Sequence, residues 1–157
     1  MNKKPDFPEL IDPRGPRVTA AITLTVLGLA FLTHSTALVI IQLIQFTIGG
    51  FVSPKKAPYG FIYRKLVQPR LHGNFIGEDI RGPQFAQKVG FLFAALATIG
   101  ALTKINLLFS IPVIFAFVAA FLNAVFDYCL GCQVYLLLQR ITRRWLNPKL
   151  KSDRLKE

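Results

Sequence analysis

Both cysteines of this 157-residue chain fall in one tetrapeptide, Cys129-Leu130-Gly131-Cys132. Three residues apart on a helix, two side chains occupy neighbouring positions about 5–6 Å apart, close enough for a disulfide after small adjustments. A pair at this spacing suits a dithiol that cycles, holds a metal or accepts a sulfur atom, because C-x-x-C thiols near cations or a helix N-terminus favour the thiolate. With two cysteines in all, a four-thiolate zinc site within one chain is excluded. Asp127 and Asn123 lie just upstream, four apart and so on one helical face. A carboxylate in or near hydrocarbon is costly unless it is paired, and Arg14, Arg81 and Arg140 are its candidate partners. Packing explains the same residues more plainly, with Cys as apolar filler and Asp127 in one locking salt bridge, and both readings stay open.

A second pattern repeats. Asp12-Pro13-Arg14-Gly15-Pro16 returns 67 residues later as Asp79-Ile80-Arg81-Gly82-Pro83. As structure, D-x-R-G-P is a helix start: Asp or Gly caps, Pro opens the first turn and Arg anchors among headgroups. As chemistry, Arg14 and Arg81, with Asp12 and Asp79 beside them, form an anion site, since a guanidinium fork binds oxyanions bidentately.

The surrounding elements are those of a membrane protein. Hydrophobic residues make up 52% of the chain and charged residues 17%, against about 25% charged in soluble domains. Four apolar runs approach the roughly 20 residues that cross a bilayer: 18–33, 37–52, 85–102 and 107–126. Gln42 and Gln45 lie inside the second run and must face the bundle interior, because amides in lipid need partners. Pro112 is placed to kink the fourth. From Tyr59 to Leu71, Phe61, Ile62, Leu66 and Val67 alternate with Arg64, Lys65 and Arg70, as in an interfacial helix. The apolar sequence from Ile105 to about Ile141 would be about 54 Å long as one helix. Residues 127–145 are therefore expected at or beyond the interface, with a bend at Gly131 and Arg140, Arg143, Arg144 and Trp145 in the headgroup zone. Residues 1–16 and 146–157 read as polar tails.

The net charge of +11 is concentrated in the tails and the long loop, while the short turns carry only His34 and Lys104. By the positive-inside rule both termini are cytoplasmic. The basic residues flank apolar segments and do not interleave with aromatics, which argues against nucleic acid and for anionic lipid. The expected fold is all-α: a single-domain, four-helix transmembrane bundle made of two parallel helical hairpins, with an interfacial helix after the second span. If duplication produced the hairpins, an axis along the membrane normal relates them.

Three stretches together, I-D-P-R-G-P-R, F-V-S-P-K-K-A-P-Y-G and N-A-V-F-D-Y-C-L-G-C-Q-V-Y, resemble an uncharacterised family of small bacterial four-span integral membrane proteins. The most specific element is N-x-x-F-x-x-C-x-G-C-x-x-Y, here Asn123, Phe126, Cys129, Gly131, Cys132 and Tyr135. The resemblance implies a multi-pass protein of the bacterial inner membrane and a thioredoxin-like or sulfurtransferase partner, but no reaction and no cofactor. Three functions follow as expectations. One is thiol redox or sulfur transfer at Cys129 and Cys132, with Asp127 and Asn123 beside them and Arg14, Arg81, Asp12, Asp79 and Tyr135 holding substrate. Another is a small, oligomeric transporter or permease subunit for an anionic solute, with the Asp-Arg motifs and Gln42 and Gln45 lining its path. The third is a structural subunit without chemistry.

Overall fold

The computed structural model describes residues 10–71 and 76–146, with side chains through 142. The N-terminal lysines Lys3 and Lys4, His72, the headgroup residues Arg143, Arg144 and Trp145, and the basic tail from 147 therefore lie outside the described residues or side chains.

Among the described residues the fold is all-α apart from one two-residue ladder. In order come β1 (Leu10–Ile11), α1 (Arg14–Thr33), α2 (Thr36–Thr47), α3 (Pro58–Ile62), β2 (Glu78–Asp79), α4 (Arg81–Thr103), α5 (Asn106–Phe126) and α6 (Leu130–Leu146). A wider turn at Ile48–Val52 carries α2 onward. Helical turns over Tyr63–Val67 and Gln68–Arg70 continue α3. Among the described residues three helices, α1, α4 and α5, are long and apolar enough to cross a membrane, and the helix Thr36–Val52 is a shorter apolar one.

Both D-x-R-G-P segments fold identically at short range. Asp12 Oδ1 accepts the Arg14 N–H at 3.0 Å and Asp79 Oδ1 accepts that of Arg81 at 2.9 Å. Each Asp thus satisfies one of the backbone donors that the first turn of a helix leaves open. The helices start at Arg14 and Arg81, ahead of the expected 18 and 85, because Pro16 and Pro83 fit inside the first turn. β1 pairs antiparallel with β2, Leu10 opposite Asp79, so the first turns of α1 and α4 are tied side by side.

Each of the two long hairpins turns on a left-handed residue, His34 (φ 49°) in the first and Lys104 (φ 57°) in the second. Helix α1 packs on α5, and α4 packs on both α2 and α5. Leu27, Ala30, Val39, Ala97, Phe109, Val113 and Ala116 form the core where these helices meet. Gly100 is obligatory here. A Cβ at this position would collide with the backbone of Leu108 and Phe109, so its absence lets α4 and α5 touch at their turn. Helix α5 runs on through Pro112, which is buried.

As expected, Gln42 and Gln45 point inward; both are completely buried. Gln42 Nε2 donates to Thr23 Oγ1 (3.2 Å), and its Oε1 accepts from the Tyr59 hydroxyl (3.2 Å). Gln45 Oε1 accepts the Tyr59 backbone N–H at 3.0 Å. The two amides therefore pin α3 against α1 and α2. On α3 and its continuation Tyr59 and Tyr63 face inward, while Phe61, Ile62, Leu66, Arg64, Lys65 and Arg70 are exposed, giving a mixed apolar and basic outer surface.

Candidate functional site

Helix α5 ends three residues before the first cysteine. Asp127 takes a left-handed conformation (φ 56°) and the Tyr128 N–H returns to Leu122 O at 3.2 Å, closing the helix. Asp is one of the few residues that tolerate this backbone region. The long apolar run is thus two helices, broken at Asp127–Cys129 instead of bent at Gly131. Asn123 and Asp127 do not share one continuous helical face: Asn123 lines an internal cavity, while Asp127 is exposed. Asp127 contributes backbone conformation here.

The break makes Cys129 the residue that opens α6. Its Sγ accepts the Cys132 N–H at 3.2 Å, and its carbonyl accepts the Gln133 N–H at 3.0 Å. Cys129 therefore occupies the place of a capping side chain, at the positive end of the helix. Cys129 and Cys132 are joined as a disulfide with Cα atoms 5.2 Å apart.

Two glycines set what surrounds the pair. A Cβ on Gly131 would lie 2.5–2.6 Å from Cβ and Cα of Ala86, so only Gly lets α6 press on α4 here. A Cβ on Gly82 would lie 3.4 Å from Cβ and Sγ of Cys132. The second D-x-R-G-P motif thus packs directly against the C-x-x-C, and the first turns of α4 and α6 both meet the disulfide. In the first copy, Gly15 faces the ring of Tyr63. Arg17 Nε donates to Ala124 O at 3.1 Å, capping the carbonyl end of α5.

Beside the pair lies a cavity of about 570 Å³. Its polar end is formed by Asp12, Lys55, Tyr63, Arg64, Gln68, Gln87, Asn123 and Cys129, and its deeper wall by Phe46, Phe93, Phe115, Ala116 and Ala120. Arg14, Arg81, Asp79 and Tyr135 are not among the lining residues. The Tyr135 ring lies 5.9 Å from that of Phe85 at a tilt of 39°, and its hydroxyl accepts from Gln139 Nε2 (2.8 Å), outside the cavity. Of the residues expected to act together, the structure gathers Cys129, Asn123 and Asp12 on one cavity. It adds Tyr63, Gln87, Lys55 and Arg64, whose only signal in the sequence is polarity near helix starts.

Tyr63 donates from its hydroxyl to Asp12 Oδ2 at 2.6 Å. Burial first, then the hydrogen bond and charge of Asp12, raise the Tyr63 phenol well above its usual range, against a smaller opposing pull from Arg14. Burial alone raises Tyr59. Above about pH 10, the ordinary tyrosine value, the unfolded chain releases protons that the fold still holds, so stability must fall as pH rises. Thermal unfolding in detergent should show a plateau below that pH and a decline above it. Tyr63→Phe should flatten the decline partly, because Tyr59 retains its share. An unchanged slope would remove Tyr63 from the account.

The chain belongs to the family described as a domain of unknown function, DUF4395, whose profile matches residues 11–140. No curated protein and no solved structure matches it.

Proposed function

We propose that this DUF4395 chain is a four-span membrane protein whose Cys129–Cys132 pair cycles between dithiol and disulfide with a soluble thioredoxin-like or sulfurtransferase partner. Helix Thr36–Val52 would be the second span, at the short end of bilayer-crossing length, and duplication of a hairpin would account for the two matching helix starts. Both termini and the cysteines would face the cytoplasm. Cys129 as the opening residue of α6, with the Cys132 N–H on its sulfur, is the observation that carries this reading. In the reduced protein that N–H and the α6 terminus favour a thiolate at Cys129, which attacks a partner disulfide. One partner sulfur leaves as thiolate and a mixed disulfide forms. Cys132 then loses its proton and attacks Cys129 Sγ, releasing the partner's second thiolate and closing the Cys129–Cys132 bond; run in reverse, the same exchange lets a reduced partner's dithiol reopen that bond and return two electrons to the pair.

The thiol reading is preferred to transport because Gln42 and Gln45 are bonded to Thr23 and Tyr59 and the cysteine-bearing cavity is lined instead by Gln87 and Asn123. The test is trapping. Cys132→Ser should accumulate a mixed disulfide with an oxidised thioredoxin-like probe through Cys129. The double Ser variant should form none while melting normally. A Cys132→Ser protein that traps nothing would sink the proposal. Reporter fusions at His34 and Lys104 test the topology, and cytoplasmic signal at either would overturn it.

A further inference from the structure

We infer that the cavity beside Cys129 is the site of an isoprenoid quinone, which accepts the electrons of the Cys129–Cys132 dithiol. This rests on the thiol reading above, taken in the direction in which a reduced thioredoxin-like partner reduces the pair, and names the oxidant that empties it. The cavity is bounded by the three helices that can cross a membrane, together with parts of α2, α3 and α6. It is amphiphilic along its length. Cys129 and Asn123 stand near the ends of α6 and α5, while on α4 Phe93 is six residues beyond Gln87, about 9 Å deeper at 1.5 Å per residue. A polar head against the cysteine and an apolar tail beyond it match that gradient.

The deep wall is aromatic and opens sideways. Phe93 and Phe115 stack within 9° of parallel at 6.1 Å. Phe115 also lies 61% exposed, between exposed Ile111 and Val118, on the apolar outer surface of α5. A ligand dissolved in the bilayer could enter past Phe115, which a water-soluble oxidant would not do. At the polar end the side chains of Asn123 and Gln87 both line the cavity. A side-chain amide both donates and accepts, which suits a quinone carbonyl and a hydroquinone O–H alike.

The chemistry balances. The two thiols lose two electrons and two protons and become one disulfide. The quinone gains both and becomes a hydroquinone, with one proton on each ring oxygen. A phospholipid or fatty acid would fill the same volume but could not accept electrons, and the disulfide on the cavity wall makes the redox ligand the fitting one.

The test uses the full-length protein in nanodiscs, reduced, desalted and kept without oxygen. Decylubiquinone is the probe, since its fully substituted ring resists thiol addition. Expected is saturable quinone reduction, with one quinol formed per disulfide closed. Ala120→Phe, which fills the channel between Ala116 and Asn123, should lower kcat/KM for quinone at least tenfold while Cys132→Ser trapping on the same background is unchanged. Should Ala120→Phe fail to fold, Ala119→Leu narrows the same wall and takes its place. Quinone reduction no faster than by dithiothreitol at equal thiol concentration would overturn the proposal, as would wild-type rates in a folded cavity-filled variant. A wild-type dithiol that exchanges with the thioredoxin-like probe but ignores quinone removes the quinone and keeps the thiol reading. Silence towards both removes both.

Discussion

A short pulse of iodoacetamide on the reduced protein should modify Cys129 at least ten times faster than Cys132, as read by mass spectrometry of the peptide that holds both. Thiolate, not thiol, is the nucleophile, so the ratio reports which sulfur carries the anion. Cys129 takes the capping position of α6 and receives the Cys132 N–H at 3.2 Å. A hydrogen bond to a charged group contributes about 1.5–3 kcal/mol, and a charge at a helix end about 0.3–1 kcal/mol more. Even the lower sum exceeds the roughly 1.4 kcal/mol that makes a tenfold difference. Access points the same way, because Cys129 lines the cavity whereas Cys132 packs on Gly82. The preference should persist at mildly acidic pH, where an unassisted thiol goes silent. Equal labelling of the two would mean that the helix start does not polarise the pair. Cys129 would then be a packing residue, and the proposed exchange would lose its nucleophile.

The sequence already carried the helices, because each is an apolar run closed by a polar turn, and the inward direction of Gln42 and Gln45, because amides in an apolar helix need partners. It also placed Cys129, Cys132 and Asn123 near one another. What it hid was the backbone break. Asp127 in the left-handed region leaves no periodic trace, and an acidic residue there reads as a charge to be neutralised. Gly131 suggested a bend, but its use is a close approach to Ala86, a contact between residues 45 positions apart. The same holds for Gly82 on Cys132 and for Tyr63 on Asp12. The cavity is the least legible feature. It is space left over by small side chains such as Ala116, Ala119 and Ala120, and a run of alanines in a helix reads as tight packing until the facing residues are known. Arg14 and Arg81 begin helices, as the helix-start reading of D-x-R-G-P expected, with the Asp of each motif holding their backbone N–H groups.

Gln42→Leu should cost about 2–3 kcal/mol of stability, lowering the melting temperature in detergent by about 5–10 °C. Leucine fits the volume, so the loss comes from what the amide leaves behind. The Tyr59 hydroxyl loses its acceptor in a buried site, and the Thr23 hydroxyl loses its donor. Thr23 can turn back to a carbonyl of its own helix; Tyr59 has no comparable escape, and it carries most of the penalty. Adding Tyr59→Phe to Gln42→Leu should therefore return at least about 1 kcal/mol, since removing both partners costs less than orphaning one, and the double-mutant cycle should show coupling of that size. Simple addition of the two single losses would mean that the hydrogen bond contributes nothing. The consequence reaches the site, because Tyr59 holds α3 to the bundle and the continuation of α3 carries Tyr63 and Arg64 to the cavity mouth. Gln42→Leu should thus loosen the cavity's polar end while leaving the Cys129–Cys132 turn intact. Quinone reduction would then fall, and mixed-disulfide formation with the thioredoxin-like probe would not.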